Sequence, residues 1–377
     1  MSTHTADIAQ SVDDAVAAPA IAGTDHVELY VGNARQAAHY YRSAFGFDVV
    51  GYAGPETGVR DRASYVVSQG KVRLVLTAPM QPEGEVASHV HEHGDGVRAI
   101  GLRVADAGAA YAAALARGAR SVAEPRTVED EHGVLRYATI ATYGDTVHHF
   151  VERDEYGGVH WPGFRAEHRD GGGVGLHHVD HMVGNVESGA MEDWVDWYAR
   201  VMGFDVFQEF DEKDIATEYS ALRSKVTRDP ESMVTFPINE PWQGRRRSQI
   251  QEYLDFYRGS GVQHIAIHTD DIVSTVDAMR GRGVEFLQTP STYYEALAPR
   301  LAAEGVTEDP EGLENLNILV DFDENGYLLQ IFTRPVGDRP TLFYEVIQRK
   351  GCLGFGKGNF KALFEAIERE QAARGNL

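Results

Sequence analysis

Apolar positions along this chain alternate in short runs, switch to a helical period, and alternate again, and the whole succession occurs twice. Residues 96–125 read GVRAIGLRVADAGAAYAAALARGARSVAEP, and residues 261–290 read GVQHIAIHTDDIVSTVDAMRGRGVEFLQTP. The two align end to end without a gap. Each opens on Gly-Val and an alternating strand, passes through an Asp into a helix, and closes on Arg-Gly, a short strand and a proline. A second pair, 29–50 and 181–207, shares V-G-N, a helix with a Tyr five residues before Gly-Phe-Asp, and a following strand. The copies run first, second, first, second, which predicts two homologous domains over about 22–155 and 176–350. Long strands such as RASYVVSQGKVRLVLTAP (62–79) favour an α+β fold over a doubly wound sheet. The expected architecture is paired βαβββ modules forming a curved, open mixed sheet in each domain, plus a C-terminal helix.

The connecting pieces are plainer. Residues 1–21 carry acids and no basic cluster, so they read as a mobile tail and not as a signal peptide. Residues 156–175 are rich in glycine, contain Pro162, and read as a linker. In 351–377, Asn359 is a suitable N-cap, and Phe360, Leu363, Phe364 and Ile367 recur at helical spacing. That predicts an amphipathic helix packed against the sheet.

Charge narrows the partners. The formal net charge of −22 repels nucleic-acid backbones and anionic membranes, so neither is an expected partner. An anionic substrate then needs a local positive centre, such as a metal ion. No apolar run is long enough for a transmembrane helix, and a single cysteine, Cys352, precludes an internal disulfide. Both fit a cytoplasmic location.

The halves differ where chemistry is expected. Aligned on V-G-N, His181 falls opposite Leu29; aligned on Gly-Val, His264 falls opposite Ala99. Two imidazoles on the opening strands of two modules can converge inside one cupped sheet, and imidazole is the commonest protein metal ligand. Glu345 lies in an apolar strand, TLFYEVIQR, where a carboxylate needs a partner: a metal, or a salt bridge to Arg349 or Arg339. Two histidines with one carboxylate suit non-haem Fe(II) and leave positions open. Of the other histidines, His178 has an odd offset that puts it on the face opposite His181, and His268 shares the face of His264 as either a residue supporting the ligands or a spare ligand. His89, His91 and His93 read as a solvated loop, as does the basic run 245–247. His148 and His149 have no apparent partners.

Ordered motifs from residue 24 onward, densest after 179, resemble the 4-hydroxyphenylpyruvate dioxygenase family of the vicinal oxygen chelate superfamily. They are VDHMVGNV, IATEYSALRSKV, FPINEP, SQIQEYLDFY, GVQHIAI, GYLLQIFT, LFYEVIQR and GFGKGNFKALFEAIE. The resemblance implies Fe(II) held by His181, His264 and Glu345. It implies catalytic amides and a hydroxyl at Asn239, Gln249, Gln263, Gln330 and Ser224, and a substrate pocket of Pro237, Phe332, Phe343, Phe355, Asn359, Phe360 and Phe364. Amides donate and accept without adding charge, and phenylalanines wall an aromatic ring. The implied reaction takes 4-hydroxyphenylpyruvate and O2 to homogentisate and CO2, in a homo-oligomer, with the terminal helix as a lid. The alternative on the same scaffold is 4-hydroxymandelate synthase, which uses the same substrate. Pro237 and the phenylalanines favour ring hydroxylation.

Overall fold

The computed structural model describes residues 16–211 and 221–376. The first half contains β1 (Gly23–Tyr30), α1 (Ala34–Phe45), β2 (Asp48–Ala53), β3 (Arg62–Gln69), β4 (Val72–Pro79), α2 (Glu85–His93), β5 (Gly96–Arg103), α3 (Ala107–Ala116), β6 (Ser121–Asp130), β7 (Gly133–Ala141) and β8 (Val147–Glu152). After β9 (Arg165–Arg169), the second half contains β10 (Leu176–Asn185), α4 (Met191–Trp197), β11 (Asp205–Phe210), β12 (Ala221–Arg228), β13 (Thr235–Trp242), α5 (Gln249–Tyr257), β14 (Gly261–Thr269) and α6 (Ile272–Gly281). It continues with α7 (Ser291–Ala303), α8 (Pro310–Leu316), β15 (Leu319–Asp323), β16 (Gly326–Phe332), β17 (Phe343–Lys350) and α9 (Phe360–Ala373). No helix among the described residues is long and apolar enough to cross a membrane.

Each half is one mixed sheet, as the repeat predicts. The second runs β11-β12-β13-β10-β14-β17-β16-β15; the first runs β2-β3-β4-β1-β5-β8-β7-β6 in the same sense, with β9 added beside β2. The Gly-Phe-Asp signature has a local cause. Gly46 and Gly203 take φ of 73° and 72° where the preceding helices end, a conformation that glycine alone adopts cheaply. The next amides, Phe47 N and Phe204 N, then donate back to the carbonyls of Tyr41 and Tyr198.

Some connections differ from expectation. Residues 156–175 carry β9, and Gly171 N donates to Asp48 Oδ1 at 2.8 Å, so the connector is sewn to the first sheet. The short strand expected before Pro290 is a single bridge, Phe286 to Thr333, because α7 and α8 are inserted before β15. Of the expected tail, residues 1–15 lie outside the described residues. Ile21 at its end is buried in the core. His89, His91 and His93 are not in a solvated loop: they lie on α2, with His89 and His93 buried. The spacing of four puts these two on one helix face, and the His93 ring stacks on Tyr257 at 4.3 Å.

The strand registers correct the internal alignment. His181 pairs with Ala266, which pairs with Glu345. In the first half the same positions are His26, Gly101 and His149. The structural counterpart of His181 is therefore His26, not Leu29, because the first copy has three more residues between this position and V-G-N. His264 and Ala99 remain counterparts through their neighbours Phe343 and Val147. Register shifts that skip Asp180 and Gln263 recur at Asp25 and Arg98, so the irregularities are duplicated too.

The two halves touch through the outer face of β17. Tyr344 is fully buried, and its hydroxyl donates to Tyr41 Oη of α1 at 2.8 Å, while Phe45 packs edge-on at 5.1 Å. Because Glu345 is the next residue, this contact fixes the strand that carries it. Tyr344→Phe alone should destabilise the protein by about 1–3 kcal/mol by leaving a buried hydroxyl unpaired. The double variant Tyr41→Phe/Tyr344→Phe should recover most of that loss. Chemical denaturation of the four proteins checks this, and equal losses in the single and double variants would contradict it.

Candidate metal centre and cavity

Three adjacent strands, β10, β14 and β17, bring His181, His264 and Glu345 together. His181, Ala266 and Glu345 form one row across the sheet, and residues level with each other on paired strands share a face. His264, two residues before Ala266 on β14, shares that face. The small side chain at Ala266 leaves the centre of the group open. His181 Nε2 lies 3.2 Å and His264 Nε2 3.4 Å from Glu345 Oε2. All three residues are buried, and their ligand atoms lie within 4.8 Å of one another.

The ring orientations are imposed by the residues just before them. Asp180 Oδ1 takes His181 Nδ1 at 2.7 Å, and Gln263 Oε1 takes His264 Nδ1 at 3.2 Å. Neighbours on a regular strand point to opposite faces; the register shifts at Asp180 and Gln263 remove that restriction. Both imidazoles are thus turned with Nε2 toward the centre, the arrangement that supports metal-ligating histidines. Arg349 grips Asp180 with two bonds of 2.8 Å. The salt-bridge alternatives for Glu345 are therefore not realised. Arg349 is taken by Asp180, and Arg339 donates to the carbonyl of Glu92 at 2.7 Å.

Electrostatics agree with a cation site. Burial would lower the His181 pKa, but Glu345 and Asp180 outweigh it and raise it to about 9. At His264 burial prevails and the pKa falls below its ordinary value. Burial disfavours the Glu345 carboxylate as well, yet the two imidazoles hold its pKa below the usual value. Without a cation, a proton shared around His181 balances Glu345. A divalent ion can replace it, since ligands must shed protons to bind metal. The donor set, two oriented imidazoles and one carboxylate, fits such an ion.

Beside the centre lies a partly open cavity. Its wall includes the three candidate ligands and, of the expected polar residues, Ser224, Asn239, Gln249 and Gln263. Of the expected pocket residues it includes Pro237, Phe332, Phe343, Phe355, Phe360 and Phe364. Pairing of β12 with β13 sets Ser224 beside Asn239 and Val226 beside Pro237. Phe343 stacks on His264 at 4.8 Å, and Phe355 meets His181 edge-on at 5.1 Å. Helix α9 closes the far side: Phe360, Leu363 and Phe364 line the cavity, and Arg374 near its end pairs with Glu252 of α5 at 2.8 Å.

Two expected residues lie outside this wall. Gln330 is buried on β16 with its amide against Gly356, where a Cβ would come within 2.5 Å of Nε2. Asn359 does not cap α9 with its side chain; its Oδ1 accepts from Tyr293 Oη at 2.6 Å. Both sit at the entry to α9. His178 also departs from expectation, whereas His268 shares the face of His264 as expected. The shift at Asp180 returns His178 to the face of His181, where it is level with His268, and the two rings stack at 4.7 Å. Neither joins the triad.

Asp180, Arg349 as its partner, Phe210 and Leu222 were missed. Asp180 had a signal in the adjacent acid of V-D-H. Leu222, Ser224 and Val226 alternate along β12, and Phe210 pairs with Ser224, so period two would have given Leu222. Residues 215–220 of the IATEYSALRSKV motif lie outside the described residues.

Comparison with known proteins agrees with this architecture. The Glyoxalase/Bleomycin resistance protein/Dioxygenase superfamily matches residues 23–152 and again 175–331. A 4-hydroxyphenylpyruvate dioxygenase of Aspergillus fumigatus is 48% identical over 94% of each chain. One from Dictyostelium discoideum is 48% identical over 94% of this chain and 100% of its own. Among solved structures, a mutant 4-hydroxymandelate synthase from Streptomyces coelicolor superposes with a TM-score of 0.83 at 34% identity, covering 93% of this chain and 99% of that one. The repeated superfamily match and the near full-length identity to curated relatives place this chain in the 4-hydroxyphenylpyruvate dioxygenase family of that superfamily.

Proposed function

We propose that this chain is an Fe(II)-dependent enzyme that converts 4-hydroxyphenylpyruvate and O2 to homogentisate and CO2. The observation that carries the reading is the convergence of His181, His264 and Glu345 beside a cavity walled by phenylalanines. Relatives named for this activity share 46–48% identity with the chain, against 34% for the hydroxymandelate synthase. Two imidazoles and one carboxylate suit non-haem iron, which would supply oxygen activation and oxidative decarboxylation of a 2-oxo acid.

The chain's own residues do the rest. With Asp180 and Arg349 cancelling, neutral imidazoles and Glu345 leave one negative charge, so a dication makes the centre singly positive. That charge suits a 2-oxo carboxylate in an otherwise acidic protein. Asn239, Gln249 and Ser224 offer the phenol end donors and acceptors without charge. Phe332 and Phe343 confine the ring, and the stiff Pro237 beside Asn239 limits its tilt. Gln263 holds the His264 ring, and Phe360 and Phe364 of α9 keep out water. Gln330 and Asn359 act at one remove, by seating the turn that leads into α9. The family likeness also leads to a homo-oligomer, and the lone cysteine to a cytoplasmic setting; light scattering of the purified protein tests the former.

Homogentisate should be the main product of the iron-loaded protein given 4-hydroxyphenylpyruvate and O2. Smaller residues at Pro237 or Phe332 should divert part of the flux to 4-hydroxymandelate, because small shifts in ring position change rates steeply. Chromatography of the products decides the matter, and a wild type that makes mostly 4-hydroxymandelate contradicts the reading.

Asp180→Asn should keep the fold but weaken Fe(II) binding about 10- to 100-fold, the usual cost of losing a partner that orients a metal-bound imidazole. His264→Ala should abolish turnover. Iron titration of Asp180→Asn and an activity assay of iron-loaded His264→Ala check these outcomes, and wild-type affinity in Asp180→Asn would show that the carboxylate does not orient His181.

A further inference from the structure

A second histidine cluster lies at the mouth of the same sheet, outside the triad. His177 and His178 open β10, and His268 is near the end of β14. His178 is level with His268, and the register shift that skips His177 lets two consecutive side chains gather on one side. His177 Nδ1 and His178 Nδ1 are 2.9 Å apart, and the His178 and His268 rings are nearly parallel at 4.7 Å. One nitrogen from each of the three residues falls within a 4.8 Å span. His268 Nδ1 is buried from solvent without a hydrogen bond, and the Asp270 carboxylate is 3.8 Å from it. These residues do not line the cavity beside the triad.

Crowding three imidazoles is unfavourable if they carry protons, and two ring nitrogens facing each other at 2.9 Å cannot both bear a hydrogen. In the metal-free protein one ring donates its hydrogen to the other, and a bound cation takes the place of that hydrogen. Metal–nitrogen bonds of about 2.0–2.1 Å place two ligand nitrogens about 2.9–3.4 Å apart for right-angle to tetrahedral geometry. The His177–His178 separation already lies in that range. Burial and mutual repulsion lower the pKa values of His178 and His268, so both rings are available as neutral ligands. Lys71, Arg73 and Arg103 line the adjoining cleft and oppose a cation, and Arg349 offsets Asp180; Asp270 and the net charge of −22 favour one.

We propose that His177, His178 and His268, with Asp270 or water completing the shell, form a second metal site for a borderline divalent cation of the Zn2+ class. Nitrogen ligands suit Zn2+, Ni2+ or Cu2+ and not Mg2+ or Ca2+, which prefer all-oxygen shells. The site joins the start of β10, which carries His181, to the end of β14, which carries His264. Its occupancy therefore clamps the two strands that hold the imidazoles of the triad. It is independent of the reaction proposed above.

The test is metal stoichiometry. Metal-free full-length protein is dialysed against buffered low-micromolar Zn2+ and analysed for bound zinc. Wild type should bind one equivalent more than His178→Ala/His268→Ala, and His177→Ala, an exposed position, should lose most of that same equivalent. His264→Ala should retain it while losing zinc from the triad. Circular dichroism confirms that the variants are folded. Equal zinc in wild type and in folded His178→Ala/His268→Ala would overturn the proposal; a failure of the triad assignment would show instead as unchanged zinc in His264→Ala.

Discussion

The second half of the molecule is organised around the cost of burying the Glu345 carboxylate. A lone ionised group in a dry interior is costly, and the protein meets it from two neighbouring strands with imidazoles rather than with an arginine. That choice matters chemically. A guanidinium would neutralise the carboxylate permanently, whereas an imidazole gives up its proton and leaves a site that a cation can fill. The available arginine, Arg349, is diverted to Asp180, where it supports the orientation of His181 from behind.

Duplication supplied the frame, and divergence decided which half carries the centre. The first half keeps the same device: Arg153 grips Asp25, and Asp25 holds His26 at 2.8 Å. It lacks the other two ligands, having Ala99 and His149 in their places. His160 and Trp161 from the connecting segment pack edge-on against His26 at 4.8 Å and 6.2 Å, so aromatic rings fill the space beside it. The register irregularities survive in both halves, which marks them as part of the scaffold and older than the difference in chemistry. The packing of Tyr344 on Tyr41 then gives the first half a role in holding β17.

The repeat, the strand–helix order and the triad were legible because they rest on periodicity and on residue types that differ between copies. The equivalence of His181 with Leu29 failed because it was anchored on V-G-N, and the first copy has three more residues before that motif. Strand alternation misplaced His178 because a bulge is invisible to a period-two reading. The same blindness hid Asp180, whose neighbour His181 should have pointed the other way. His89 and His93 were misread because polar composition outweighed their helical spacing. Gln330 and Asn359 came from motif resemblance, which transfers position in the chain; the geometry puts them behind the wall, at the turn that leads into α9.

The most direct measurement is anomalous diffraction at the iron edge from crystals of the Fe(II)-loaded, oxygen-protected protein. A single strong peak bonded to His181 Nε2, His264 Nε2 and a Glu345 oxygen is the result this account predicts. Iron elsewhere, or no peak between those three side chains in fully loaded protein, would contradict it.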